Sequence, residues 1–393
     1  MKQWKKIFSL MLVVCMMMTM VVGCGTSAKE SDAEKPATEA AVEESTAEEP
    51  AAEESTAEES TAGAKDIKDI KVGVSVGTTQ EERWQREIDM FESYAKEHGF
   101  EIMVQSAEND AQKQVSQCEN LINQGIDVLI LQSLDAAAVA PIIDAAHEEG
   151  IKVIAYDRFA MNCDLDYYIT FDSFKVGVTQ AKFVTEKAEK GNYIWLKGGP
   201  EDNNAHLVAA GQTSILQPFI DSGDITVVLE QWCIGWDPNE ALKHTENGLT
   251  VANNDIQAVV ASNDGTAGGA IQALQAQGLT VPIAGQDADL AACQRIVEGT
   301  QTGTVYKPLA KLNQAAMELA VAVATGQDPA NALDESLGVW TKLNNDQKEV
   351  DSFSVDVVAI DKDNIYEILI VQDQFHTLED VFKNVPQDQW PAQ

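Results

Sequence analysis

From Ile70 onward, short apolar runs alternate with longer stretches in which apolar and polar positions recur at helical spacing. The runs Lys71–Val76, Phe100–Gln105, Asp127–Leu131, Lys152–Tyr156 and Tyr167–Phe171 are rich in β-branched and aliphatic residues and predict strands. So do Asn192–Leu196, Ile225–Leu229, Ile256–Ala261, Val281–Ala284 and Gly303–Tyr306. Between them, Glu82–His98, Gln112–Asn123, Asp135–Glu148, Asn204–Ile220 and Pro308–Thr325 show the 3.6-residue period of amphipathic helices. Gly99, Gly125, Gly150, Gly278 and Gly326 follow such segments, where a left-handed residue ends a helix. Strands such as Val153-Ile154-Ala155 are apolar on both faces, as parallel strands covered by helices on either side must be. The pattern predicts an α/β fold of doubly wound parallel sheets. About 320 residues exceed one typical core, so two lobes are expected.

The first 64 residues follow neither period. Lys2, Lys5 and Lys6 precede a largely apolar 16-residue run, Ile7 to Val22, which is short for a bilayer span and reads as an export signal over residues 1–23. It closes on Val21-Val22-Gly23-Cys24, which resembles a bacterial lipobox, with cleavage before Cys24 and lipidation of its thiol. The alternative is an ordinary signal peptide followed by a chance cysteine. Residues 25–64 repeat Glu, Ser, Thr, Ala and Pro, hold 12 acids against 2 lysines and no aromatic residue, and have almost nothing to bury. Residues 24–66 therefore read as a lipidated cysteine and a disordered acidic tether.

The net charge is −36; with +3 on the signal and −10 on the tether, −29 remains on residues 65–393. So acidic a body is a poor partner for nucleic acid or anionic headgroups. Cys118, Cys163, Cys233 and Cys293 lie far apart with no Cys-x-x-Cys pair, which argues against zinc and leaves buried thiols or a disulfide.

Candidate chemistry lies where the strands end. In open α/β sheets, ligands bind beyond the carboxyl ends of the strands. Those ends read GTTQEERWQ, YDRF, GGPEDNNA, QWCIGWDP, ASNDGTAGG, AGQDADL and TVYKP. One Asp-Arg pair would be a surface ion pair, but seven ends loaded with Asp, Asn, Arg, Lys and Trp converge on one site. Carboxylates and amides accept hydroxyl protons, Arg, Lys and Asn donate to hydroxyl oxygens, and Trp offers a flat face to a sugar ring. Acids and bases in similar number suit a neutral polyhydroxy ligand, whereas a phosphate site would be mostly basic.

Rival constellations are incomplete. Gly265–Ala270, GTAGGA, lacks the Gly-Lys-Ser/Thr of a P-loop and the spacing of a dinucleotide fingerprint, and close helix packing explains it better. An EF-hand beginning at Asp361 would lack its glycine and its final glutamate. There is no Gly-x-Ser-x-Gly elbow, and the five histidines fall mostly within helical patterns, as surface or structural residues. Carboxylates beside a sugar invite a glycosidase reading, but several acids here have a base or an amide as sequence neighbour.

Taken in order, Glu82–Gln85 (ERWQ), Tyr156–Arg158 (YDR), Asp202–Ala205 (DNNA), GWDP, ASNDGTAGGAIQALQAQGL, GQDADL and GTQTGTVYKP closely resemble the xylose-binding members of the ribose/galactose-type periplasmic binding family. The likeness is dense from Ile67 to Ala330. It implies two similar α/β lobes joined by three hinge strands, with the N-lobe at 67–172 plus about 308–335 and the C-lobe at 173–307 plus about 336–382. Carried over by position, Arg83, Asp157 and Arg158 contact the sugar from the N-lobe. Asp202, Asn204, Trp236, Asn263 and Asp287 face them from the C-lobe, and Lys307 lies near a hinge crossing. Trp84 is a further candidate, with core packing as its alternative. GTTQ, Gly77–Gln80, departs from the family by lacking acids after the first strand. The resemblance implies a monomeric, non-enzymatic receptor for D-xylose or a similar monosaccharide, without cofactor or metal, serving the membrane permease of an ABC importer.

Overall fold

A computed structural model describes residues 65–391. The signal-like segment, Cys24 and nearly all of the acidic repeat lie outside the described residues.

Strands and helices alternate as the periodicity predicts. In the first half come β1 (Lys71–Val76), α1 (Glu82–His98), β2 (Glu101–Ser106), α2 (Ala111–Asn123), β3 (Val128–Gln132), α3 (Ala140–Glu148), β4 (Lys152–Tyr156) and β5 (Tyr167–Phe171). Then follow α4 (Ser173–Thr185), β6 (Gly191–Lys197), α5 (Asn203–Ser222), β7 (Ile225–Trp232), α6 (Pro238–Val251), β8 (Ala258–Val260), α7 (Asp264–Ala276), β9 (Ile283–Gln286), α8 (Leu290–Glu298) and β10 (Gly303–Tyr306). The chain ends with α9 (Leu309–Thr325), β11 (Val339–Asn344), β12 (Glu349–Val355), β13 (Val358–Ile360) and α10 (Leu378–Phe382).

Two mixed, mostly parallel sheets result. The N-lobe sheet has the order β11-β12-β5-β4-β3-β1-β2, and the C-lobe sheet β13-β10-β9-β8-β6-β7. Only β11, against β12, and β13, against β10, run antiparallel. Each sheet is buried on both faces: Val128, Ile130, Leu129 and Leu131 of β3 are fully buried, alternating between two apolar clusters. Helix α9 returns to the N-lobe, where Leu312, Ala316 and Leu319 pack with Phe91 and Ile154. Small residues bring helices close. A Cβ on Gly211 of α5 would collide with the Phe174 carbonyl of α4, and one on Gly269 of α7 with the Pro238 carbonyl of α6. That second contact is the packing expected of GTAGGA. The four body cysteines are buried and free, so none is in a disulfide.

Two expectations fail. The segment from about 336, assigned to the C-lobe, forms the hairpin β11–β12, and β12 lies parallel to β5 with Asp351 opposite Tyr167 and Val355 opposite Phe171. Residues 339–355 therefore complete the N-lobe sheet, and the chain returns to the C-lobe only at Val358. The cause is edge pairing: β5 needs a partner on its outer side, and the period-2 run Glu349–Val355 supplies it. The helix expected from Asp135 begins instead at Ala140. Asp135 Oδ1 accepts from the N–H groups of Ala137 and Ala138, folding Ser133–Val139 into a turn before Pro141 starts the helix.

Among the described residues the chain thus passes between the sheets three times, at Phe171–Ser173, Tyr306–Leu309 and Val355–Val358. The carboxyl ends of both sets of parallel strands carry the predicted polar motifs.

Candidate functional site

The site is built from side chains that the strand ends deliver. Arg83 and Trp84 stand in the first turn of α1, two and three residues after its N-cap Glu81. Asp157 and Arg158 follow β4, Asp202 caps α5, Asn263 caps α7, Asp287 follows β9 and Lys307 follows β10. Trp236 comes from the short helical turn after β7. All nine predicted side chains, with Trp84, Glu81 and Gln286, line one cavity with about 310 Å³ of space not filled by protein atoms.

Arg83 is the hub. Its Nε donates to Glu87 Oε1 at 2.7 Å, and Nη1 lies 2.8 Å from Asp157 Oδ2 and 3.6 Å from Asp287 Oδ1 across the cleft. The guanidinium stacks 4.3 Å above the Trp84 ring. Burial alone would push its pKa down, but the carboxylates of Asp157, Glu87 and Asp287 hold it well above the usual arginine value. Arg158 forms a second chain: Nε is 3.0 Å from Asp202 Oδ2 of the other lobe, and Nη2 is 3.2 Å from Glu81 Oε1.

Asp157 has φ +60°, and its N–H donates to the Ile169 carbonyl at 2.8 Å. Its own carbonyl is ringed by donors, Tyr168 Oη at 2.6 Å, Thr170 Oγ1 at 3.1 Å and Asn204 Nδ2 at 2.8 Å, the last from the C-lobe. Burial would raise the pKa of its carboxyl, but Arg83, Lys307 and Arg158 together hold it below the ordinary aspartate value. For Asp202 and Glu81 burial outweighs the Arg158 charge, and their pKa values go up.

The C-lobe side is fixed just as firmly. Asp202 Oδ1 accepts the Asn204 N–H at 2.9 Å, and Oδ2 accepts Trp236 Nε1 at 3.2 Å. Gly198 leaves room for that indole, since a Cβ there would overlap it. Asn263 Oδ1 accepts from the Thr266 N–H at 2.8 Å, which leaves its Nδ2 as a donor. Lys307 Nζ lies 3.3 Å from Asp287 Oδ1 and 5.7 Å from the Phe171 ring.

Two polar atoms in this ring are buried without a hydrogen-bond partner: Arg83 Nη2, a donor, and Asp287 Oδ1, an acceptor. Asp287 Oδ1 has cations within ion-pair range but not in hydrogen-bond geometry. A hydroxyl group donates and accepts, so it satisfies either atom. Unsatisfied buried groups cost about 1–3 kcal/mol each, and a ligand bearing hydroxyls would recover that cost.

Sequence reasoning missed Glu81 and Gln286. Glu81 supplies the acid that GTTQ lacks, one residue further on, and its Oε2 accepts Trp84 Nε1 at 2.7 Å. Its signal was its place ahead of α1, where an acid reads as an ordinary helix start. Gln286 donates to the Ser262 carbonyl at 2.8 Å and lies beside Asp287. His376, read as surface or structural, is buried, with Nε2 2.8 Å from the Ala288 carbonyl.

The family model described as "Periplasmic binding protein domain" matches residues 72–328. The chain belongs to that family. Among curated members, the D-xylose-binding periplasmic protein of Escherichia coli (strain K12) is 46% identical over 315 residues, 80% of this chain and 93% of that protein. The D-xylose-binding periplasmic protein of Haemophilus influenzae is 47% identical over 317 residues, with the same coverage. A crystal structure of an ABC transporter solute binding protein from Clostridium phytofermentans with bound beta-D-glucose has a TM-score of 0.73 at 30% identity, over 79% of this chain and 99% of that one. The two-lobed architecture is that of periplasmic binding proteins of the first type, a family of solute-binding proteins.

Proposed function

We propose that this protein is an extracytoplasmic receptor that captures D-xylose between its lobes and delivers it to the permease of an ABC sugar importer. The observation that carries the reading is the ring of alternating acids and cations holding one unpartnered donor and one unpartnered acceptor. Such a ring suits a neutral ligand with several hydroxyls, and the two relatives at 46–47% identity are named for D-xylose. Arg83, Asp157 and Arg158 contact the sugar from one side, and Asp202, Asn204, Trp236, Asn263, Asp287 and Lys307 from the other. Residues 1–23 direct export, lipid on Cys24 anchors the chain at the outer face of the membrane, and the acidic run is the tether. The receptor acts as a monomer and performs no chemistry. Asp202 faces Arg158, Trp236 Nε1 and a backbone N–H, the partners of an ionised acceptor that a sugar hydroxyl can join, rather than those of an acid placed to protonate a glycosidic oxygen.

A thermal-shift panel of pentoses and hexoses tests the ligand, because only a ligand that binds the native state raises the melting temperature. D-xylose should give the largest rise. A larger shift with D-glucose, the sugar in the Clostridium structure, would move the assignment to a hexose.

A further inference from the structure

Glu201 lies just outside the sugar slot and touches both halves of the cleft. Its Oε1 accepts the backbone N–H of Gly235 at 2.8 Å. Gly235 (φ +63°) and Trp236 (φ +57°) are both left-handed, a conformation that a bulky residue such as Trp adopts only where its surroundings hold it. Gly199 keeps the path clear, because a Cβ there would overlap the Glu201 carboxylate. Glu201 therefore pins the turn that presents Trp236. Its backbone carbonyl meanwhile accepts the Ala136 N–H of the N-lobe at 3.0 Å.

The place of that bond matters. Ala136 follows β3, which β4 separates from the crossing strand β5, and Glu201 follows β6, which β8 and β9 separate from the crossing strand β10. The Ala136–Glu201 bond thus lies on the mouth side of the cleft, where a hinge motion separates the lobes furthest. Resting on the sugar-receptor reading, we infer that Glu201 is a positioning residue coupling Trp236 to cleft closure. An indole seated on the sugar fixes the turn, the turn fixes Glu201, and the Glu201 carbonyl then takes the Ala136 N–H and shuts the mouth.

The test compares wild type, Glu201→Ala and Glu201→Gln, the last keeping an oxygen acceptor for Gly235. Calorimetry gives D-xylose affinity, stopped-flow fluorescence gives release, and amide exchange reports on Ala136 with and without saturating D-xylose. Glu201→Ala should weaken binding roughly tenfold, about the worth of one hydrogen bond, chiefly through faster release. It should also abolish the sugar-induced protection of Ala136, while Glu201→Gln restores both. Equal exchange of Ala136 in wild type with and without bound D-xylose overturns the inference. So does a Glu201→Ala protein that melts earlier yet releases sugar at the wild-type rate. If that variant does not fold, Glu201→Asp, one methylene shorter and drawn back from the Gly235 N–H, takes its place and is judged by the same readouts. No heat from wild type with D-xylose overturns the receptor reading instead. Ala136 exchange is then compared in sugar-free wild type and Glu201→Ala, where equal rates overturn the bridge.

Discussion

Asp157 shows how one residue is held before any ligand arrives. Its left-handed backbone, its crowded carbonyl and its 2.8 Å pair with Arg83 leave the carboxylate one orientation, aimed into the cavity. Removing it deletes a charge-assisted acceptor worth roughly 1.5–3 kcal/mol. Asp157→Ala should therefore weaken D-xylose binding about tenfold to hundredfold by calorimetry. Asp157→Asn should lose less, since Asn tolerates the left-handed backbone and keeps one acceptor oxygen. Unchanged affinity in both would return Asp157 to a purely structural ion pair. The place of Asp157 at the cavity was legible because YDR ends a strand whose apolar core is plain in the sequence. Glu81 was not, because its partner Arg158 lies 77 residues away in sequence and meets it only in three dimensions.

Among the elements, those with a strong period were readable, and those that depend on a distant partner were not. The start of α3 was lost to a local competitor, the Asp135 turn, and the hairpin β11–β12 to a pairing decided by the open edge of β5. The segment after β13 is a similar case. It runs through a π-helical turn at Tyr366–Gln372 and places His376 against Ala288, whose left-handed turn also carries Asp287. A carbonyl only accepts, so Nε2 carries the proton. Burial holds the His376 pKa below its ordinary 6.5. A pKa lowered by folding contributes stability above the unfolded value and loses it as pH falls through the folded one. His376→Gln should therefore cost most in melting temperature near pH 8, and the gap to wild type should narrow below about pH 6.5. A gap that widens with acidification would show that the imidazole is charged in the native state.

For the molecule as a whole, the proposed ligand set is divided. Arg83, Asp157 and Arg158 precede the first crossing; Asp202, Asn204, Trp236, Asn263 and Asp287 follow it. An open cleft offers a pyranose about half its partners, and a ligand shifts a conformational equilibrium only by its differential affinity for the two states. Two or three additional charge-assisted bonds at roughly 1.5–3 kcal/mol each match the ~5.5 kcal/mol that carries a population from 1:99 to 99:1. Solution scattering should show the radius of gyration falling as D-xylose is added, with Trp236 fluorescence changing over the same concentrations. A saturated protein with the sugar-free profile would mean that the lobes do not move. The closed form, uniting surfaces from both lobes, is the state that the proposed permease partner would distinguish as loaded.

The pairing of β12 with β5 also bears on how the chain matures. Tyr167 waits for Asp351, so the N-lobe sheet keeps an open edge until nearly the whole chain has been made. Contacts so distant in sequence close slowly. A polypeptide delayed in this way cannot complete its first lobe until Glu349–Val355 is available to cover the outer edge of β5. The hairpin that seals the N-lobe thus makes the completion of that lobe depend on a segment made long after β5.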